Sequence, residues 1–378
     1  MTTALSPDSP EPWPVPTPSR TTRGMAIVPG LLLCAGIAAV ATILGRLVPV
    51  IGAPVCGIVL GVLLGVVLRR RALDVWVQPG VAFSSRTVLQ LAIVVLGSGL
   101  SLTEVAHTGL SSLPVMLGTL SLALLGAWGV GHLLRIDGDL RTLIGVGTGI
   151  CGASAIAATT AVIGAAEADV AYAISTIFAF NVIAVLTYPT LGHLLGLSQH
   201  AFGLWAGTAI NDTSSVIAAA YTYGLAAGNY GVVVKLTRTL MIIPITIALA
   251  VMTRRRTSAV SRTTGSASGK QGDDPTVKTA VGERTRRRLR LWQLVPWFLV
   301  GFLLAAAFNS LGGVPQAAHS PLSTLSLFLI TMALSGIGLS TRPRQLRNAG
   351  LRPLALGAIL WVTVGISSLL LQAATGMH

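Results

Sequence analysis

Residues 201–224 read AFGLWAGTAINDTSSVIAAAYTYG, and residues 230–253 read YGVVVKLTRTLMIIPITIALAVMT. Each is apolar and long enough to cross a bilayer as a helix, yet each carries ionisable groups inside it. Asp212 lies in the first stretch, Lys235 and Arg238 in the second. A charge at mid-membrane costs about 2.5–3.5 kcal/mol on insertion scales, so it stands there with a partner or a task. Opposite charges on successive stretches either neutralise one another as a buried ion pair or build a site for an anion and a coupling cation.

Similar stretches recur on both sides, at roughly 26–45, 50–68, 82–102, 113–134, 142–164, 170–197, 201–224, 230–252, 292–311, 322–340 and 351–373 of the 378 residues. The chain is 52% hydrophobic and 10% charged, with mean hydropathy +0.76. That pattern predicts an all-α membrane protein of about 11 transmembrane helices, not a barrel of short alternating strands. The 42 glycines allow such helices to approach closely.

The net charge of +14 invites a nucleic-acid reading, but its distribution opposes one. With the N-terminus in the cytoplasm, the basic residues collect on that side. Arg20 and Arg23 lie in the tail, and Arg69, Arg70, Arg71 and Arg86 lie in and around the second loop. Arg135 and Arg141 follow, then eleven Lys and Arg in 253–290, then Arg342, Arg344, Arg347 and Arg352. Only Arg46 falls outside. This is the positive-inside pattern, and it puts the C-terminus outside the cell. The bilayer, not nucleic acid, is the implied partner. Cys34, Cys56 and Cys151 all fall in apolar stretches with no CxxC spacing, which predicts free thiols.

Residues 1–24 are polar and proline-rich and read as a disordered cytoplasmic tail. Residues 25–378 form one polytopic membrane domain, including a flexible basic loop at 253–290 suited to anionic headgroups. A shift of 239 residues pairs LGSGLS (96–101) with SGIGLS (335–340), and Pro114 and Gly118 with Pro353 and Gly357. The matched stretches would point in opposite directions, as an inverted repeat requires.

Three segments could carry chemistry. GVGTGICGASAIAATT (145–160) places four glycines close together, which weakens a helix there. In a membrane, backbone unwinds only where protein or a watery cavity surrounds it, and a half-helix start favours anions. Gly149, Cys151, Gly152 and Ser154 would then form an anion cradle. Around Asp212, the run Asn211, Asp212, Thr213, Ser214 can bind a proton or a sodium ion, and helical spacing would line Thr208, Asp212, Ser215 and Thr222 along one face. Lys235 and Arg238 share a face of the next helix, Arg238 with a planar fork for an oxyanion and Lys235 with a movable charge. Asn181 is a further candidate ligand, Asn309 a candidate interhelical clip, and Pro189, Pro244 and Pro296 candidate kinks. Ser154 in GAS (152–154) with His193 is the nearest approach to a catalytic pair, but position 155 is Ala where a rhomboid-type protease motif has Gly. No metal motif, phosphate loop or other enzyme signature is present, so the chain reads as no enzyme and as needing no cofactor beyond a coupling proton or sodium ion.

GTGICGASAIAA, FAFNVIAVLTYPTLGHLLGLS, FGLWAGTAINDTSSVIAAA and VVVKLTRTLMIIPI, in that order, resemble the YeiH-type sulfate exporter family of bacterial inner-membrane proteins, the UPF0324-like group. The resemblance covers about residues 26–375. It implies an inverted-repeat transporter with discontinuous helices, distantly related to cation–proton antiporters and anion transporters, in the cell membrane. One position departs: the family pattern has His where this chain has Asn211, so a coupling scheme that needs an imidazole lacks its group here.

Together these readings predict a secondary active transporter of a small oxyanion (sulfate, sulfite or sulfonate-like), most simply an ion-coupled exporter. Gly149, Cys151, Gly152, Ser154, Asn181, Lys235 and Arg238 would hold the anion, and Asn211, Asp212, Thr213 and Ser214 the coupling ion. Two alternatives stay open: a cation–proton antiporter using Asn211 and Asp212, and a membrane receptor without transport that signals through 253–290. A homo-oligomer is compatible with each.

Overall fold

The computed structural model describes residues 20–47, 52–70, 74–265, 296–341 and 350–377, and every element among them is helical. In chain order these are α1 (Arg20–Leu47), α2 (Gly52–Arg70), α3 (Asp74–Phe83), a π-turn (Ser84–Val88) and α4 (Leu89–Gly97). They continue as α5 (Leu102–Leu133), α6 (Gly138–Gly149), α7 (Ala153–Ile163), α8 (Glu167–Leu194), α9 (Gln199–Ala209) and α10 (Thr213–Tyr223). The last are α11 (Leu225–Leu240), α12 (Ile242–Gly265), α13 (Trp297–Ser310), α14 (Gln316–Ser340) and α15 (Leu351–Thr375). Helix occupies each of the eleven expected stretches, but among the described residues only 7 helical runs are long and apolar enough to cross a membrane.

The boundaries move in places. The third stretch begins earlier than expected, as one run through Trp76–Gly97, and the fourth is longer, at Leu102–Leu133. Helix starts at Arg20, inside the expected tail, and α12 continues to Gly265, into the expected loop. The rest of the 1–24 tail and of the 253–290 loop lies outside the described residues. Pro296 caps the start of α13 and Pro244 sits in the first turn of α12, so both mark helix starts, where the missing N–H costs nothing. Pro189 lies inside α8.

Small residues set the closest helix contacts. Gly57, Gly61 and Gly65 line one edge of α2, and a Cβ on Gly61 would collide with the backbone oxygen of Ser335 on α14. Gly338 makes the reciprocal approach to Ile58. A spacing of four places these glycines on one helical face, so the two backbones touch along a seam.

The largest difference from the sequence expectation concerns 142–164 and 201–224, read as single spans. Each is a helical hairpin. In the second, Tyr223 Oη donates to Leu197 O, and Gln199 Oε1 accepts from Ala226 N at 2.9 Å and Ala227 N at 3.2 Å, so the two ends of the segment stand together. Tyr223 also stacks on Phe202 and His193, with ring centroids 3.9 and 4.3 Å away. Along α11, Gly203 and Gly207 of α9 follow Ala227 and Val234, whereas Tyr221 and Val216 of α10 meet Gly228 and Gly231 in the reverse order. The α9 and α10 arms therefore run antiparallel over the same stretch of α11. In the first hairpin, Ile163 returns to the cluster of Ile136, Leu140 and Leu143, and Ile156 packs on Gly147. Helix α8 joins the base of one hairpin to the base of the other through short links. Its 28 residues span about 42 Å, so the hairpins enter from opposite ends and meet midway.

Candidate functional site

The hairpin tips carry similar sequences. GTGICGAS (147–154) and GTAINDTS (207–214) share Gly, Thr, Ile and Ser at matching positions, 60 residues apart. In both, the first arm ends at the residue before the Ile and the second begins three residues after it. Gly152 turns the first tip with φ +70°, a left-handed conformation that glycine adopts without Cβ strain. Its Cβ position would lie 3.6 Å from Asn211 O, which puts the two tips in contact.

The carboxyl ends of α6 and α9 thus point at one another, each with unsatisfied carbonyls and partial negative charge. Lys235 and Arg238, both fully buried on α11, lie between them. Lys235 Nζ donates to Ile150 O at 2.9 Å and Ile210 O at 2.8 Å. Arg238 donates through Nε to Gly149 O at 2.7 Å, through one terminal nitrogen to Thr208 O, and through the other to Thr148 O at 3.4 Å. The matching positions of the two tips share the same two cations. Backbone carbonyls, not Asp212, receive these donors.

The amino ends of α7 and α10 turn the other way. On α8, Asn181 Oδ1 accepts from Asn211 N and Asp212 N, both at 3.2 Å. Asp212 caps α10, accepting from Ser214 N at 3.0 Å and from the Ser214 hydroxyl. No side chain caps α7, where Ser154 Oγ instead lies 2.8 Å from Cys151 Sγ. Both helix starts open on a cavity of about 400 Å³, lined by Ala153 of the first tip, Asp212, Thr213 and Ser214 of the second, and Asn181 and Ser175 of α8. Ser85 and Arg86 of the π-turn and Ser340 of α14 also line it.

Of the expected site residues, Asn181, Asp212, Thr213 and Ser214 line this cavity together, and Cys151, Gly152 and Ser154 form the adjoining tip. Gly149, Lys235 and Arg238 lie behind the tips and do not line it. Asn211 is buried and also turned away from the cavity; its side-chain oxygen has no partner among the described residues. The expected polar face of Thr208, Asp212, Ser215 and Thr222 does not exist, because the tip separates Thr208 on α9 from the rest; Thr208 Oγ1 meets Ser368 at 2.6 Å instead. Ser154 and His193 are not paired: one is at a tip and the other at the base of the opposite hairpin. Asn309 Nδ2 donates to Leu100 O at 3.1 Å, as an interhelical clip. The pair matched at 239 residues is the end of α4 with its following turn and the end of α14, not the two tips.

Arg86 is the residue the sequence reading missed. Assigned to a loop flank, it sits near the middle of the apolar run Trp76–Gly97. Its central position between Trp76 and Gly97 was the available signal.

A family model described as "Conserved hypothetical protein 698" matches residues 29–357. A UPF0324 membrane protein of Streptococcus pyogenes serotype M3 is 41% identical over 354 residues, covering 93% of this chain and 98% of that protein. Those of Streptococcus mutans and Clostridium tetani are 40% and 37% identical, each over 92% of this chain and 97% of their own length.

Proposed function

We propose that this chain, which belongs to the UPF0324 family of membrane proteins, is a secondary active transporter of a small oxyanion of the sulfate, sulfite or sulfonate kind. The observation that carries the reading is the meeting of two hairpins from opposite ends beside a cavity that holds two helix starts and a carboxylate. Helix starts favour an anion, and irregular backbone at mid-depth is tolerated where it lines such a cavity. Asp212 is the coupling group, taking up a proton or sodium ion as the anion binds. Lys235 and Arg238 act one layer back, holding the carboxyl ends of both hairpins so that the tips keep their shape. Transport of this kind makes and breaks no covalent bond, so the protein works without a cofactor and is not an enzyme.

In this reading the hairpins dip into the bilayer and return, and the remaining helical runs cross nine times. The N-terminus is cytoplasmic and the C-terminus outside a bacterial inner membrane, in keeping with the basic loops. Cation–proton antiport on Asp212 is the second reading, favoured by the carboxylate in the cavity; the cavity's Arg86 opposes a cation there. The test is uptake of labelled sulfate, sulfite and taurine into proteoliposomes under imposed pH and sodium gradients. Saturable, gradient-dependent uptake of one of them is expected. No uptake of any under either gradient contradicts the reading.

A further inference from the structure

We infer that Arg86 is the oxyanion-gripping residue of this cavity and that the site takes a tetrahedral dianion together with one proton, an inference that rests on the transport reading above. Arg86 lies in the π-turn Ser84–Val88, between α3 and α4. Single π-turns insert a wider loop of backbone into a helix and recur at functional sites. This one is pinned: Ser84 Oγ donates to Met332 O at 3.1 Å, and Gly336 lets α14 approach the backbone of Val81 and Ser85. The turn is therefore fixed while Arg86 itself is exposed to the cavity. Among the described residues no hydrogen bond or ion pair engages its guanidinium, whereas the buried Arg238 has its donors engaged by carbonyls. A planar fork left free near the middle of a membrane-length run matches two oxygens of a sulfate-like group.

The charges decide the class. In the lining, Arg86 contributes one positive charge and each helix start about half of one, against the negative charge of Asp212. Behind it, the buried Lys235 and Arg238, held by carbonyls of both tips, add a positive field that is the same in either state of Asp212. With Asp212 ionised the lining carries about +1, and with it protonated about +2. A proton on Asp212 makes the site one charge more positive, so a dianion is held better together with a proton than without one. A zwitterion such as taurine is matched in neither and should compete weakly.

The experiment measures sulfate binding and proton-driven sulfate flux for the full chain in proteoliposomes, with Arg86→Gln, Arg86→Lys and, as an arginine outside the site, Arg46→Gln. Wild type and Arg46→Gln should bind sulfate equally, with one proton taken up per sulfate. Arg86→Gln should bind about tenfold or more weakly, with Arg86→Lys in between. Because Arg86 holds no partner among the described residues, thermal unfolding of both variants should match wild type. Independently, a thiol reagent should modify Ser340→Cys, and sulfate but not chloride should slow it. Normal sulfate binding in folded Arg86→Gln, or no protection at Ser340→Cys, overturns the role of Arg86 while sulfate flux in wild type leaves the transport reading standing. A wild type that moves no oxyanion overturns both.

Discussion

Asp212 caps α10 and lines the cavity, and the proposed mechanism adds a second, separable role as the coupling group. Asn caps a helix about as well as Asp, so Asp212→Asn should change stability by less than about 1 kcal/mol and yet abolish gradient-driven flux. Persistent coupling in that variant would remove Asp212 from the mechanism. Arg238→Gln should behave oppositely, because it strips donors from carbonyls of both hairpins. Thermal unfolding should show a loss of about 3 kcal/mol or more, since each charged hydrogen bond contributes about 1.5–3 kcal/mol. Combining the two changes should not recover that loss; recovery would mean that the carboxylate and guanidinium neutralise each other after all. The sequence marked Lys235, Arg238 and Asp212 as unusual because charge in an apolar stretch is a strong signal. It could not show that the cations serve backbone carbonyls, since every residue has one and none leaves a trace in residue type. Arg86 was hidden differently: Asp74, Gln78 and Pro79 dilute the start of its helix, so the apolar window seemed to open only after them.

At the scale of elements, the glycines of 145–152 did announce a break, and the break is there. What they could not announce is that the chain folds back, because hydropathy over some 24 residues is the same for a crossing and for a hairpin. The signals that close the second hairpin, Gln199 and Tyr223, are ordinary polar residues at its two ends. Two substitutions probe these elements. Gly152→Ala must adopt φ +70° at a tip with only ordinary contacts nearby, so it should cost about 1–2 kcal/mol from backbone strain, read by thermal unfolding, and weaken anion binding with it. Gly61→Leu must force α2 away from Ser335 on α14 and should destabilise by about 1–3 kcal/mol or more, with no change in affinity in whatever protein still folds. A Gly152→Ala variant as stable as wild type would mean that the tip rearranges freely.

For the whole molecule, the count of crossings was the least legible quantity, and the reason is specific. No Lys or Arg occurs between Arg141 and Lys235, so the charge rule is silent over the region that holds both hairpins. Eleven crossings and nine crossings with two hairpins put every basic loop on the same side, and both leave the termini on opposite sides. The two topologies differ only at the ends of α8. With hairpins, Ala166 lies on the cytoplasmic side and Leu195 outside; with eleven spans the sides exchange. The measurement is cysteine labelling from each face of the membrane, with the native Cys34, Cys56 and Cys151 replaced, of Ala166→Cys, Leu195→Cys and the reference Lys270→Cys. Ala166→Cys should react from the same face as Lys270→Cys, and Leu195→Cys from the opposite face. The reverse assignment would mean that both segments cross the bilayer, and it would dismantle the paired hairpins on which the site depends.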